Sequence, residues 1–263
     1  MPCRALALSI ACAALALAGC GKSNPQPASA VPSAQAGARA PGESAAREPF
    51  QGNGSARSQA KAFVAAVNLT AADVSPLQAS HASHGRAGAR EKQAEADLTL
   101  CFDAGGKRAA GASPLAEGAS PAFEAHADGA VLSVSSNVTV GSNTGHEPAQ
   151  VAALRSPRSR ECLSRYLRAL FAHGHRSSLA IKGISIQSGS PPAPGTAGGF
   201  GWRVTATVAG DGVKAHFYAD ILGFIAGRSE VTLVSTGFPL PFPAAGEERL
   251  FALLLSRATA LHA

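Results

Sequence analysis

Residues 202–235 read WRVTATVAGDGVKAHFYADILGFIAGRSEVTLVS, and this stretch decides the fold. Apolar residues alternate with polar ones at its start and form a longer apolar run in its middle, a pattern typical of strands. Two sets of turn residues interrupt it, Gly210-Asp211-Gly212 and Gly227-Arg228. Short turns that contain glycine favour hairpins. The stretch therefore predicts three consecutive antiparallel strands: Trp202–Val208, Val213–Ala226 and Ser229–Ser235.

The residues on either side extend this sheet and then close it. A fourth strand, Leu179–Gln187, comes before, and the Pro- and Gly-rich stretch Ser188–Gly201 is expected to be a loop between two strands. Three prolines end the sheet on the other side: Pro239, Pro241 and Pro243. Glu247–Leu261 follows as a helix with acidic residues at its start, where the helix dipole favours them.

The preceding part of the chain adds more helices and strands. The apolar spacing predicts a first helix over Ala56–Val67, strands over Leu98–Phe102 and Leu132–Val140, and helices over Glu147–Leu154 and Ser159–His173. The predicted order is αββααββββα. Strands linked by hairpins, with helices grouped around them, indicate an α+β fold: an antiparallel β-sheet packed against helices in a single domain, residues 56–263.

The amino terminus has the composition of an export signal. Arg4 supplies a positive charge, and an apolar run of about 14 residues follows, which is too short to span a bilayer at roughly 20 residues per helix. The run ends in Leu17-Ala18-Gly19-Cys20. Residues 1–19 are therefore expected to be a signal peptide that is removed from the mature chain.

The sequence Leu17-Ala18-Gly19-Cys20 resembles the lipobox of bacterial lipoproteins. This resemblance implies that Cys20 receives a diacylglyceryl group, that cleavage occurs before it, and that the chain is a lipoprotein anchored to the extracytoplasmic face of the cell membrane. In a cell with two membranes the outer membrane is an open alternative. An ordinary secretory signal with a chance cysteine is the competing interpretation.

Residues 20–55 are rich in Ala, Ser, Pro and Gly and carry almost no large apolar side chains. Such a composition buries too little apolar surface to offset the entropy lost on ordering. We therefore predict a disordered tether between Cys20 and the domain, with a root-mean-square span of roughly 30 Å.

The charge balance is only mildly basic. The formal net charge is +6, and removal of Arg4 with the signal leaves 22 basic against 17 acidic residues. No basic run is interleaved with aromatic residues, so the sequence does not indicate nucleic acid as a partner. No motif indicates a cofactor.

Two cysteines remain in the predicted domain, Cys101 and Cys162, since Cys3 and Cys12 lie in the signal. Two cysteines in an oxidising compartment usually pair, so we predict a disulfide that joins the first predicted strand to the central helix. A redox-active pair is the alternative, but there is no Cys-x-x-Cys motif.

Two histidine pairs could serve as halves of a zinc site: His81 with His84, and His173 with His175. Zinc needs about four ligands, and no carboxylate or cysteine stands at a matching spacing near either pair. Surface histidines are therefore favoured, and we predict no metal site. The chain also lacks a Gly-x-Ser-x-Gly nucleophile motif, so no catalytic residue is predicted.

Four residues of the predicted sheet are candidates for ligand binding: Trp202, Arg203, Asp220 and Arg228. Asp220 lies inside an apolar strand, so its carboxylate is expected either to be exposed on one sheet face or to be paired, and Arg203 on the neighbouring strand is a suitable partner. Trp202 could line a ligand cleft beside the glycine-rich loop or belong to the core. Arg228 lies at a hairpin tip. A structural ion pair is the competing interpretation of Arg203 and Asp220.

Several segments together resemble the extracytoplasmic sensor domains of PknH-type bacterial kinases and related actinobacterial lipoproteins. They are Asn68-Leu69-Thr70-Ala71-Ala72-Asp73-Val74, Cys101, Cys162, the block from Phe217-Tyr218-Ala219-Asp220 to Gly227-Arg228, Pro241-Phe242-Pro243, Glu248, Leu250 and Arg257-Ala258. The resemblance covers about residues 56–260 and implies a small antiparallel sheet backed by helices, without known catalysis. The chain departs from that family in having only one possible internal disulfide.

The sequence thus favours a membrane-anchored extracytoplasmic domain that senses or binds an unknown ligand or protein of the cell envelope and is not an enzyme. An envelope hydrolase whose active site follows no known motif is one alternative. A structural or assembly lipoprotein is another, and it predicts no ligand pocket.

Overall fold

The structure, a computed structural model, describes residues 53–79, 89–103, 114–127, 129–142, 147–172, 180–210 and 213–262. The expected signal peptide, the lipobox with Cys20 and nearly all of the expected tether lie outside these residues. So do both histidine pairs.

The described residues contain five helices and eight strands. The helices are α1 (Asn53–Val67), α2 (Ala89–Asp103), α3 (Glu147–Leu154), α4 (Pro157–Ala172) and α5 (Ala244–His262). The strands are β1 (Gln78–Ala79), β2 (Ala116–Ala119), β3 (Phe123–Ala127), β4 (Ala130–Val140), β5 (Ala180–Gly189), β6 (Gly198–Gly210), β7 (Val213–Ala226) and β8 (Ser229–Phe238).

All eight strands form one antiparallel sheet in the order β1-β3-β4-β8-β7-β6-β5, and β2 also pairs with β4. The α+β class and the antiparallel sheet packed against helices are therefore confirmed. Strand β7 has the predicted bounds, and Gly227 in the turn after it has φ 50°, a left-handed conformation that glycine adopts easily. Strand β8 ends at Phe238, directly before the three prolines.

The predicted strand over Leu98–Phe102 is wrong, because these residues form the last part of helix α2. Three apolar residues at alternate positions are too short a pattern to separate a strand from a helix. Leu98 is buried while Leu100 is 66% exposed, so the alternation does not mark one buried face. The residues before it, AREKQAEAD, are mostly strong helix formers.

Three helix starts and three short strands also differ from expectation. Helix α1 begins at Asn53 instead of Ala56, α4 at Pro157 instead of Ser159, and α5 at Ala244 instead of Glu247. Strands β1, β2 and β3 were not predicted, and they have only two, four and five residues. Segments of this length carry too few residues to display a period.

The strand register assigns each side chain to one of two sheet faces, because directly paired residues of antiparallel strands point the same way. Trp202 pairs with Ile221, which pairs with Val234, and these belong to a core covered by α2, α3 and α4. We call this side the α4 face. Phe224 pairs with Val231, and both belong to a second core covered by α1 and α5, on what we call the α5 face.

Both cores are closely packed. On the α4 face, a Cβ at Gly223 would lie 2.3 Å from the Phe200 ring, so only glycine allows the ring to lie on the neighbouring strand. On the α5 face, Phe224 and Phe251 stack edge to face with ring centroids 5.6 Å apart. The two cores fix α4 and α5 on opposite sides of the sheet, and the polar residues at each side differ in a way that bears on function.

Candidate functional site

The four sheet residues considered for ligand binding do not form one site. Arg203 and Asp220 pair across β6 and β7 on the α5 face. Trp202 precedes Arg203 on the same strand and therefore points to the α4 face. Arg228 lies in the turn between β7 and β8. Only Arg203 and Asp220 are thus brought together.

Arg203 and Asp220 form a bidentate ion pair. The Arg203 Nε donates to Asp220 Oδ1 at 2.7 Å, and Nη2 donates to Oδ2 at 3.1 Å. Glu247, in the first turn of α5, places Oε2 3.8 Å from the same Nη2 and accepts a hydrogen bond from the Ser235 hydroxyl. We call these four residues the Arg203 cluster. It joins β6, β7, β8 and α5.

The electrostatics of the Arg203 cluster are those of an engaged structural network. Burial raises the pKa of Glu247, and the Asp220 charge adds to this, while the Ser235 hydrogen bond and the Arg203 charge act against it. The hydrogen bond to Asp220, together with the charge of that carboxylate, raises the pKa of Arg203. Because both carboxylates already share one guanidinium, the structure favours the structural interpretation of this pair over a ligand site.

Trp202 is 1% exposed and belongs to the core of the α4 face. Its ring centroid is 5.4 Å from that of Phe200 and 6.3 Å from that of Phe102 in α2. The Trp202 Nε1 has no hydrogen-bond partner among the described residues, which is uncommon for a buried N–H. The structure therefore places Trp202 beneath α2 rather than at the wall of an open cleft.

Arg228 is half-buried at the turn after β7, and its carbonyl accepts a hydrogen bond from the Gly141 N–H at 2.8 Å. This contact ties the turn to the end of β4. Arg228 lies at the closed end of the β7–β8 hairpin, beside the pair Ala226–Ser229, whereas Asp220 of the Arg203 cluster pairs with Ser235 farther along the two strands. The backbone contact of Arg228 with Gly141 is thus structural.

A second ion pair on the α5 face is not indicated by the sequence pattern. Arg257 of α5 holds Asp73 through two hydrogen bonds, 2.7 Å to Oδ1 and 2.9 Å to Oδ2. Burial acts to raise the pKa of Asp73, but the hydrogen bonds from Arg257 and Thr70 outweigh it, and the pKa lies below its usual value. The Arg249 side chain also donates to the Asp73 carbonyl at 3.0 Å. This network fastens α5 to the segment after α1.

An open groove of about 430 Å³ lies on the other side of the molecule, between α2 and α4. We call it the disulfide groove. Its lining combines apolar side chains with three charged ones and the two cysteines. The residues are Ala94, Asp97, Leu98, Leu100, Cys101, Arg158, Cys162, Arg165, Tyr166 and Ala169. A concave site with an apolar lining and a few polar groups is the usual form of a ligand site.

Cys101 and Cys162 form the predicted disulfide, with Cα atoms 5.7 Å apart. The expected bridge between a strand and a helix is corrected, because the bond joins helix α2 to helix α4. The Arg165 Nη2 donates to Cys101 Sγ at 2.8 Å. The contact of Arg165 with Cys101 could not be predicted from the sequence, because the two residues are 64 positions apart, although Arg165 lies one helical turn from Cys162.

The charged groups of the disulfide groove are not paired with one another. Within the described ranges, neither Arg158 nor Arg165 has a carboxylate within ion-pair distance, and both side chains are exposed. Asp97 accepts a hydrogen bond from Gln93 Nε2 at 2.8 Å. Apart from the Arg165 hydrogen bond to Cys101, no described residue accepts from these two guanidinium groups, whose donors suit an anion.

One sequence signal could have led to this groove. Arg158 and Arg165 are seven residues apart, which is about two helical turns, so they lie on one stripe of α4. The segment 155–168, RSPRSRECLSRYLR, holds five arginines and one acidic residue. The packing of this stripe against α2 could not be predicted from the sequence. It depends on the disulfide, and the alternating apolar residues of α2 are typical of a strand.

In the part of the chain that the structure describes, no three His, Cys, Asp or Glu residues gather where they could hold a metal ion. No described helix combines the length and apolar character needed to cross a membrane. No protein family matches the chain, and none of the curated proteins is significantly similar to it.

Proposed function

We propose that this chain is an exported, lipid-anchored domain without catalytic activity that binds a ligand of the cell envelope in the disulfide groove. One observation carries the proposal. The groove, about 430 Å³ in volume, sets the guanidinium groups of Arg158 and Arg165, which have no carboxylate partner among the described residues, against an apolar wall. Such a combination is suited to a ligand that has both a polar or anionic part and an apolar part.

Export is supported by two independent features. The lipobox resemblance at Leu17-Ala18-Gly19-Cys20 implies an anchor on the extracytoplasmic side. The Cys101–Cys162 disulfide is of the kind that persists in oxidising compartments and is rare in reducing ones. A lipid-anchored, extracytoplasmic location agrees with both, and the choice between one membrane and an outer membrane stays open.

Binding is favoured over catalysis by the way the carboxylates are used. Asp220 and Glu247 contact Arg203, and Asp73 contacts Arg257, so these carboxylates are engaged in joining secondary-structure elements. In the groove, Asp97 stands beside arginines and apolar groups, without a second described carboxylate in the lining. That lining is suited to holding a molecule in place.

The anchor is tested by the intact mass of the chain purified from native membranes, before and after reduction. We expect a chain that begins at Cys20, carries acyl groups, and gains two hydrogen atoms on reduction of the disulfide. Cys20→Ala should abolish acylation, and Cys12→Ala, the same substitution within the signal, should not. An unprocessed chain without acyl mass would contradict the proposal.

Ligand binding is tested with Trp202, the only tryptophan, whose ring packs against Phe102 of the groove helix α2. Fractions of envelope extract are titrated against the intact protein while its fluorescence is followed. We expect a saturable change that is lost in Arg158→Gln/Arg165→Gln and retained in Arg160→Gln, an exposed α4 residue outside the groove lining. If no fraction alters the fluorescence of the unmodified protein, groove binding is contradicted.

A further inference from the structure

The ligand of the disulfide groove can be specified further, and this step rests on the proposed function. The outward side of α4 is strongly basic. Arg158, Arg165 and Arg168 are exposed, and Glu161 is the only acidic residue of the helix. No ion pair of these arginines occurs within the described residues. The helix thus presents a row of guanidinium groups to whatever approaches this side of the domain.

An exposed apolar side chain lies beside this row. Leu100 is 66% exposed at the rim of the groove, whereas Leu98, one of its neighbours in α2, is 2% exposed. A single exposed leucine is common on protein surfaces, but this one lies in a groove that also presents two guanidinium groups. A partner that covers Leu100 while contacting the arginines must carry an apolar part next to an anionic part.

We infer that the disulfide groove docks on the headgroups of anionic phospholipids in the membrane that holds the lipid anchor. A phosphate group would lie between Arg158 and Arg165, which suit bidentate contact with phosphate oxygens, and Leu100 would contact the glycerol and the first part of the acyl chains. Asp97 is the only carboxylate among the described lining residues. Since Arg158 and Arg165 outnumber it, the net charge of these lining residues is positive.

The proposed lipid anchor would keep the domain close to phospholipid headgroups. Only 32 residues separate Cys20 from the start of α1 at Asn53, and a chain of that length spans roughly 30 Å as a random coil. The headgroup layer is therefore always within reach of the domain, and each arginine near an anionic surface strengthens attraction to it.

The test uses the intact, lipidated chain reconstituted in vesicles of phosphatidylcholine alone or with about 30 mol% phosphatidylglycerol. Arginines are modified with phenylglyoxal and located by peptide mass spectrometry. We expect modification of Arg158 and Arg165 to slow by about 5-fold in the anionic vesicles, the factor that corresponds to attraction of one arginine to such a surface. Arg57, exposed on α1, should react equally in both membranes.

Matched leucine variants test the apolar contact. Leu100→Ser should reduce the protection of Arg158 and Arg165, and Leu240→Ser, which changes a side chain of similar exposure (61%) outside the groove, should not. Both positions are exposed, so neither change removes core packing. Equal protection in the two variants would overturn the role of Leu100.

Other outcomes separate this inference from the proposed function. Equal modification rates in the two membranes would overturn headgroup docking, while acyl mass at Cys20 and a Trp202 response to a different envelope fraction would leave the proposed function standing. Protection by inorganic phosphate in neutral vesicles, at the level seen with phosphatidylglycerol, would show that the groove takes free phosphate and would overturn membrane docking.

Discussion

The α5 face and the α4 face use arginine in opposite ways. On the α5 face, Arg203 and Arg257 each hold a carboxylate at 2.7 Å, and both carboxylates are largely buried. On the α4 face, Arg158 and Arg165 border an open groove and have no carboxylate partner among the described residues. The same residue type therefore joins structural elements on one side and is left available on the other.

The difference indicates where stability and where function are located. Removal of one partner of a partly buried ion pair leaves the other charge unpaired and destabilises the folded state, so such a pair contributes to stability. An exposed and unpaired guanidinium contributes little to folding and keeps its donors for an outside anion. Variants of the two faces should accordingly differ in what they change.

The largest effect is expected at the disulfide, which holds the two walls of the groove together. Cys101→Ser/Cys162→Ser should lower the free energy of unfolding by about 4 kcal/mol, because the bond closes a loop of 61 residues in the unfolded chain. Urea unfolding, monitored through Trp202 fluorescence, measures this loss of unfolding free energy. The same decrease should appear in the unmodified protein after reduction, and a change below about 1 kcal/mol would show that the bond does not constrain the chain.

The next largest effect is expected in the Arg203 cluster. Asp220→Asn should lower the free energy of unfolding by about 1–2 kcal/mol, less than for a fully buried pair, because the Arg203 side chain is 57% exposed. A double-mutant cycle with Arg203→Gln in urea isolates the pair energy. Additive effects of the two changes would contradict a direct ion pair.

The pH dependence sharpens the comparison within the α5 face. The pKa of Glu247 in the folded state is raised above its usual value of 4.5. At a pH between the usual and the raised pKa, Glu247 is therefore protonated in the folded state and ionised in the unfolded state. Stability contributed by this group is therefore lost as pH rises through the raised pKa, and Glu247→Gln should remove that decline.

Asp73 should behave in the opposite sense. Its folded pKa is lowered from 3.8, so the stability it contributes is present above that value and is lost as pH falls through the lowered pKa. Urea midpoints between about pH 2 and pH 8 for the unmodified chain, Glu247→Gln and Asp73→Asn separate the two contributions. Parallel profiles for all three chains would show that neither carboxylate titrates as inferred.

The smallest effect on stability is expected in the groove. Arg158→Gln/Arg165→Gln should change the free energy of unfolding by less than about 0.5 kcal/mol, because both side chains are exposed and lack carboxylate partners among the described residues. The urea midpoint provides the measurement. A loss comparable to that of Asp220→Asn would show that these arginines support the fold, and the contrast between the two faces would fail.

Much of the sheet could be predicted from the sequence because its signals are local. The alternation in β6, the apolar run in β7 and the turns at Gly210 and Gly227 set the hairpins. Once the turn between Gly210 and Val213 is fixed, the register follows, and Arg203 must lie opposite Asp220. The position of one short turn is therefore enough to predict the pairing of these two residues.

The disulfide groove could not be predicted in the same way. Its two walls lie more than fifty residues apart, and one of them, α2, carries the alternating Leu98, Leu100 and Phe102 that suggested a strand. Glu247 also joins the Arg203 cluster from a helix whose start the sequence placed only approximately. In each case the partner depends on how helices pack on the sheet.

The sequence by itself thus predicted strands β4 to β8, the turns at Gly210 and Gly227 and the Arg203–Asp220 pair, because periodicity and short turns act between near neighbours. The number of cysteines left in the predicted domain, two, predicted their pairing. The tertiary structure alone decided that α2 packs against α4, that Trp202 lies beneath α2, and that Arg158 and Arg165 border a groove with no carboxylate partner among the described residues. Those features depend on burial, and the burial of a side chain is set by elements that are distant in the chain.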